Sequence, residues 1–206
     1  VLDNGDYLLS RNNNESEYAI IANNSFSSNF VLKTLLRIGP SINQEASIGI
    51  ILKAQEDGKG ALIFEINTKG EYRIKQLKGS AYHILSGKDQ NNGWIKNKIV
   101  TRVDQHNLVE IRSENNNYDI YVNNNYLSTF FIADYASGYA GLIITAATKA
   151  RVSYFYLNES NTEAKGIQNK ESNNLNVTTA ELKERIKSQE KEILTIKQQL
   201  STEQAI

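Results

Sequence analysis

The sequence predicts an all-β fold, an antiparallel sandwich or barrel, followed by a C-terminal α-helix. Three observations carry this expectation. From Gly5 to Leu157 apolar and polar residues alternate in short runs, Gly, Asn, Asp and Ser punctuate those runs, and no segment of helical period interrupts them. Many short strands without intervening helices pair in antiparallel fashion and close into a sandwich or barrel.

The strands follow in order. "DYLLS", "EYAIIA", "FVLKTLLRI" and "SIGIILKA" come first, then "ALIFEIN", "EYRIKQL" and "AYHIL". "LVEIRS", "YDIYV", "YLSTF", "AGLIIT" and "ARVSYFYL" complete the set. Period-two patterning assigns their faces: Tyr118, Ile120 and Val122 point inward while Asp119 and Tyr121 point the other way. Likewise Tyr72, Ile74 and Gln76 share one face, and Arg73, Lys75 and Leu77 the other. Polar side chains on such a second face are expected to be solvated. The cations there, together with Lys33, Arg37 and Lys53 on strands read as neighbours, are offset by Glu65.

The turns agree. About one residue in eight is Asn, with triplets beginning at Asn12, Asn115 and Asn123, and Asn tolerates the positive φ that tight hairpins require. "EDGKG" and "NTKG" supply further hairpin connections. Pro40, the only proline, ends a strand, where its missing N–H breaks no ladder.

Composition narrows the function classes. Lys+Arg and Asp+Glu balance at 23 each, which argues against a nucleic-acid footprint. No run of about 18 apolar residues predicts a membrane-spanning helix. Cysteine is absent, removing disulfides, thiolate metal sites and cysteine nucleophiles. Methionine is absent too, so Val1 is expected to begin a processed or trimmed chain.

After Leu157 the composition changes. Residues 158–177 are polar and aperiodic, as expected of a linker. Residues 178–206 are expected to form a coiled-coil helix: Thr178 and Glu181 make a capping box, with Val177 and Leu182 as its staple. Ile186, Ile193 and Leu200 recur every seven residues, and Leu182, Gln189 and Ile196 form the second seam. In a parallel pair Arg185 faces the partner helix's residue 190, a glutamate, and Glu192 faces residue 197, a lysine. Both contacts are attractive, so residues 178–204 are expected to join copies of the chain. A lone amphipathic helix lying on the sandwich is the alternative.

The order of elements in the second half carries a resemblance. "GWIKNKIV" precedes "NLVEIRSENNNYDIYVNNNYLSTF" and "SGYAGLIITAATKARVSYFYL". A Trp before a polar loop, an Asn-Leu strand, an Asn-turned hairpin, a Gly-rich entry to "GLIIT" and a last strand rich in aromatics together resemble the concanavalin A-like lectin/glucanase superfamily. The likeness extends to its laminin-G-like and keto-glycoside hydrolase-like members and covers residues 1–157. It implies a two-sheet antiparallel jelly roll with any glycan on the concave sheet or its rim loops. Glycan or protein is the expected ligand, and a secreted, periplasmic or cell-surface setting is favoured over the cytoplasm. Tyr121 and Trp94 are candidate sugar platforms, Trp94 beside Tyr82, with Arg73 or Lys75 bonding hydroxyls. A scaffold role for Tyr121 and a partly buried edge position for Trp94 are the structural alternatives.

Catalytic chemistry is poorly represented. Glucanases of this superfamily carry Glu-x-Asp-x-x-Glu on one strand, and no such motif occurs here. Glu110 and Glu114 face one way with Arg112 between them, which favours ionised carboxylates over a general acid. The expectation is a non-catalytic recognition or assembly module. The enzyme alternative is glycoside cleavage by acids brought together from different strands, with Glu65, Glu110 and Glu114 as the carboxylates to test. His83 and His106 belong to no spaced metal motif. No cofactor is expected; the alternative is a calcium ion to which Asp104 with His106, or Asp89 near Trp94, would contribute oxygens.

Overall fold

A computed structural model describes residues 2–12, 16–87 and 91–159. The linker and helix expected beyond residue 159 lie outside the described residues. Among the described residues fourteen strands run in chain order: β1 Leu2–Asp3, β2 Asp6–Ser10, β3 Tyr18–Phe26, β4 Phe30–Ile38, β5 Ser47–Ala54, β6 Gly60–Asn67 and β7 Glu71–Lys78, then β8 Ala81–Ile84, β9 Ile95–Lys96, β10 His106–Glu114, β11 Asn117–Val122, β12 Asn125–Phe131, β13 Gly138–Ile144 and β14 Lys149–Glu159. All twelve expected strands are present, and the short β1 and β9 are additional. Among the described residues, no helix is long and apolar enough to cross a membrane.

The strands form two antiparallel sheets, one ordered β1-β2-β14-β4-β10-β11-β12 (sheet A), the other β3-β13-β5-β6-β7-β8 with β9 also on β7 (sheet B). Two of the asparagine triplets, those beginning at Asn115 and Asn123, do what their chemistry allows; the one beginning at Asn12 runs outside the described residues. Asn115 and Asn116 turn β10 into β11, Asn123 and Asn124 turn β11 into β12, and all four have φ between 50° and 64°. Two consecutive left-handed residues match the twist of paired strands.

The core lies between the sheets. Sheet A contributes Phe30, Leu32, Leu36, Val109, Ile111, Tyr118, Ile120 and Val122; sheet B contributes Ile48, Ile50, Leu52, Leu62, Phe64, Ile66, Tyr72 and Ile74. Tyr118 stacks on Phe130 with centroids 4.9 Å apart. The inward residues expected of the β11 hairpin are therefore inward, and Tyr121 lies on the opposite side.

Sheet B differs from an ordinary half-solvated sheet, because β5 and β6 are buried along their whole length. Its outer face holds a second apolar cluster of Ile51, Ala54, Ala61, Ile63 and Ile143. The expectation of solvated cations on this face is corrected: Arg73 and Lys75 are buried. Lys33 and Arg37 belong to β4 in sheet A, so they do not neighbour Glu65. Lys53 is fully buried against the core aromatics Phe26 and Phe30.

Candidate functional site

On the outer face of sheet B, β6 and β7 place Glu65 opposite Arg73. Glu65 has no exposed surface. Its Oε2 accepts from Arg73 Nε at 2.9 Å and Nη2 at 2.7 Å, and its Oε1 lies 3.2 Å from Lys75 Nζ. Charges out of water persist only when paired and hydrogen-bonded, and each group here is. Gly49 makes room for the carboxylate: it is Glu65's cross-strand partner on β5, and a Cβ there would sit 2.9 Å from Glu65 Cγ and 2.8 Å from Ile143 Cγ2.

The network extends toward the surface through two aromatics. Arg73 Cζ stands 4.4 Å from the Trp94 ring centre, and Arg73 Nη1 donates to the Asn92 carbonyl at 3.2 Å. Lys75 Nζ lies 3.1 Å from Glu17 Oε2 and 4.1 Å from the Tyr82 ring centre. The Tyr82 hydroxyl donates to the other oxygen of Glu17. Burial, and then the bond to Glu17 and its charge, hold the Tyr82 phenol well above its ordinary pKa.

Three of the four sequence-predicted ligand residues are thus brought together. They differ in access: Tyr82 is 43% exposed, whereas Trp94 is 5% and Arg73 7% exposed. Trp94 occupies the buried edge position and is not an open platform. Its indole Nε1 is buried without a hydrogen-bond partner among the described residues. Glu17, which ties Tyr82 to Lys75, went unnoticed in the sequence; it lies 65 residues from Tyr82, and no local pattern marks such a contact.

Tyr121 stands apart, on the outer face of sheet A. Cross-strand partners place Tyr156, Lys33, Glu110, Tyr121 and Tyr126 in one row over β14, β4, β10, β11 and β12. Tyr121 packs edge-on to Tyr126 at 5.8 Å, with Arg112 Cζ 4.6 Å from its ring centre. Glu110 meets Arg112 Nε at 2.6 Å and Lys33 Nζ at 3.1 Å. Burial works against its ionisation, but the bonds and charges of Arg112 and Lys33 outweigh it and lower its pKa.

This placement separates the carboxylates of the enzyme alternative. Glu110 and Glu114 lie on sheet A and Glu65 on the far face of sheet B, so the three cannot flank one glycosidic bond. Both oxygens of Glu65 are engaged by cations, leaving none to face a substrate. His83 and His106 are exposed on different sheets. Among the described residues, no three His, Asp or Glu side chains gather as a metal site would need; Asp89 lies outside them.

No protein-family model and no curated protein matches the chain. Solved structures do match. A carbohydrate-binding module, CBM66 from Bacillus subtilis, superposes with a TM-score of 0.59 at 13% identity, covering 76% of this chain and 96% of that one. The likeness is one of fold. A human galectin-16 variant gives 0.51 at 10% identity, over 69% and 95% of the two chains. A structure from work on endo-acting O-glycanases of the human gut microbiota gives 0.54 at 9% identity, over 75% and 80%. All three share the two-sheet β-sandwich with this chain.

Proposed function

We propose that this protein is a non-catalytic glycan-recognition module that binds on the outer face of sheet B, around Tyr82. One observation carries the reading. An exposed tyrosine has its ring against Lys75 and its hydroxyl fixed by Glu17, beside a buried Glu65–Arg73–Lys75 network and an indole N–H without a partner among the described residues. A sugar can stack its C–H face on such a ring and bond its hydroxyls to the carboxylate and cation beside it. The network costs side-chain entropy on folding, so little remains to be lost when ligand arrives. The sandwich likeness to a carbohydrate-binding module and a galectin supports this reading at the level of fold.

A glycan array followed by calorimetry tests it. Tyr82→Ala is expected to weaken binding of a captured glycan at least about tenfold, as losing an aromatic contact does at a small interface. Trp94→Phe, which keeps a ring and removes the N–H, reports whether the indole takes part. Tyr121→Ala is the control on the other face. Binding lost with Tyr121→Ala and kept with Tyr82→Ala moves the site to sheet A. Turnover of a chromogenic glycoside, abolished by Glu65→Gln or Glu110→Gln, overturns the non-catalytic reading.

The seam of Leu182, Ile186, Gln189, Ile193, Ile196 and Leu200 lies outside the described residues, and we propose that it makes the protein a parallel homo-oligomer. Its support is the heptad spacing and the complementary charges at residues 185, 190, 192 and 197. Joining several weak glycan sites raises avidity by about 10²-fold or more, which suits a secreted or surface-located lectin. Light scattering of the full chain against one ending at Asn176 is the check; a monomer in both cases refutes the oligomer.

A further inference from the structure

A second surface faces the solvent at the end of the sandwich where β6 turns into β7. The segments 69–70 and 96–105 enclose a depression of about 470 Å³ lined by Lys69, Lys96, Lys98 and Arg102, with Asn97, Thr101 and Gln105 among the remaining residues. None of its lining residues is acidic. Among the described residues, none of the four cations has an ion-pair or hydrogen-bond partner for its side chain, whereas Lys33, Lys78 and Arg112 each meet a carboxylate. Glu71 is the cross-strand partner of Lys96, but its carboxylate accepts from Asn67 Nδ2 at 2.7 Å. With a formal net charge of zero for the chain, the cluster is a local feature and does not follow from an overall cationic excess.

The walls are braced from within. Gly70, at φ +77°, lies against the Val100 carbonyl, which would stand 2.8 Å from a Cβ at that position. Asn97 N donates to Gly70 O at 3.3 Å, Val103 N to Thr68 O at 3.2 Å, and Thr101 N to Asn107 Oδ1 at 2.8 Å. Asn97 uses its Oδ1 to accept from Ile99 N at 3.1 Å, which leaves its amide N–H groups for a ligand. The fixed backbone keeps the four cationic residues around one depression, where an anion can meet several of their charges at once.

We infer that this basin binds the anionic group, a sulfate ester or carboxylate, of an acidic glycan. The inference rests on the glycan reading above for the sugar and on the basin's own charge for the anion. Position joins the two sites: Tyr82 pairs with Leu77 and Lys96 with Glu71 on the same strand β7, six residues or about 20 Å apart along its outer face, a span within reach of an oligosaccharide. A chain of sugars that stacks on Tyr82 can thus carry its acidic substituent to the basin.

Four probes test this at low ionic strength, because exposed charges are screened within about 10 Å at 0.1 M salt. Inorganic sulfate, followed by amide NMR shifts, is expected to perturb residues 96–105 in the wild type and not in the double variant Lys96→Gln, Arg102→Gln. A κ-carrageenan hexasaccharide is expected to bind about tenfold more tightly than its desulfated counterpart, since each exposed ion pair is weak but three or four act together. The double variant loses that preference. Tyr82→Ala weakens both sugars and leaves the sulfate-ion response intact, so failure of the basin and failure of the Tyr82 site are distinguishable. No sulfate response at residues 96–105 overturns the basin, and equal affinity for the two sugars overturns its role in glycan choice. Duplex DNA binding as tightly as the sulfated sugar overturns the glycan as the source of the anion.

Discussion

Replacing Lys53 with Met should change how stability depends on pH more than it changes stability at pH 7. The irregularity between β5 and β13 near Tyr139 and Gly141 puts Lys53 at φ 54°, and its side chain is fully buried. Nζ donates to the carbonyls of Phe26 at 3.3 Å, Ser27 at 2.5 Å and Ala136 at 3.1 Å, beside the Phe26 and Phe30 rings. Burial brings its pKa down from 10.5 to about 8, with Glu159 acting in the opposite direction. Below pH 8 folded and unfolded chains both hold this proton. Between about 8 and 10.5 the unfolded chain holds it and the native one does not, so rising pH favours the native state. The shift corresponds to about 3 kcal/mol of stability gained across that window. Tyr72, Tyr82 and Tyr118 act the other way, because burial keeps their phenols protonated in the native state beyond their ordinary range, and subtracting the Lys53→Met curve removes their effect. At pH 7 the variant leaves three carbonyls without their donor, each costing about 1 kcal/mol or more, against the ammonium desolvation it relieves. Urea denaturation at pH 7, 8, 9 and 10 should show the wild type gaining on the variant steadily above pH 8. Parallel stability curves over that range would refute the reasoning.

Glu65→Ala leaves the Arg73 guanidinium buried with the Asn92 carbonyl and the Trp94 ring as partners, and should cost about 3 to 5 kcal/mol in urea unfolding. Gly49→Val forces a side chain into the space of Glu65 and Ile143, for a loss of about 1 to 3 kcal/mol; combined with Glu65→Ala it should cost less than the sum of the two, measured as a double-mutant cycle. Asn124→Val puts a β-branched residue at φ 64° and should lower stability by about 1 to 2 kcal/mol in thermal melts without altering glycan binding.

By itself, the sequence determined the strands, the turns and the faces. A period of two survives any packing of the sheets, because successive Cβ atoms must alternate, so the inward set of Tyr118, Ile120 and Val122 was legible without a partner strand. Asparagine pairs at positive φ are likewise a local matter, settled by the side chain's tolerance of that conformation. Periodicity names a face and never a neighbour. Only the tertiary structure put Lys33 and Arg37 on one sheet with Glu65 on the other, inserted β13 between β3 and β5, and parted Tyr121 from Tyr82. The same holds for burial. Arg73 and Lys75 read as solvated from their strand alone, yet Glu65 and the distant Glu17 enclose them, because opposite charges can share a water-poor site only where non-local strand pairing brings them within bonding distance.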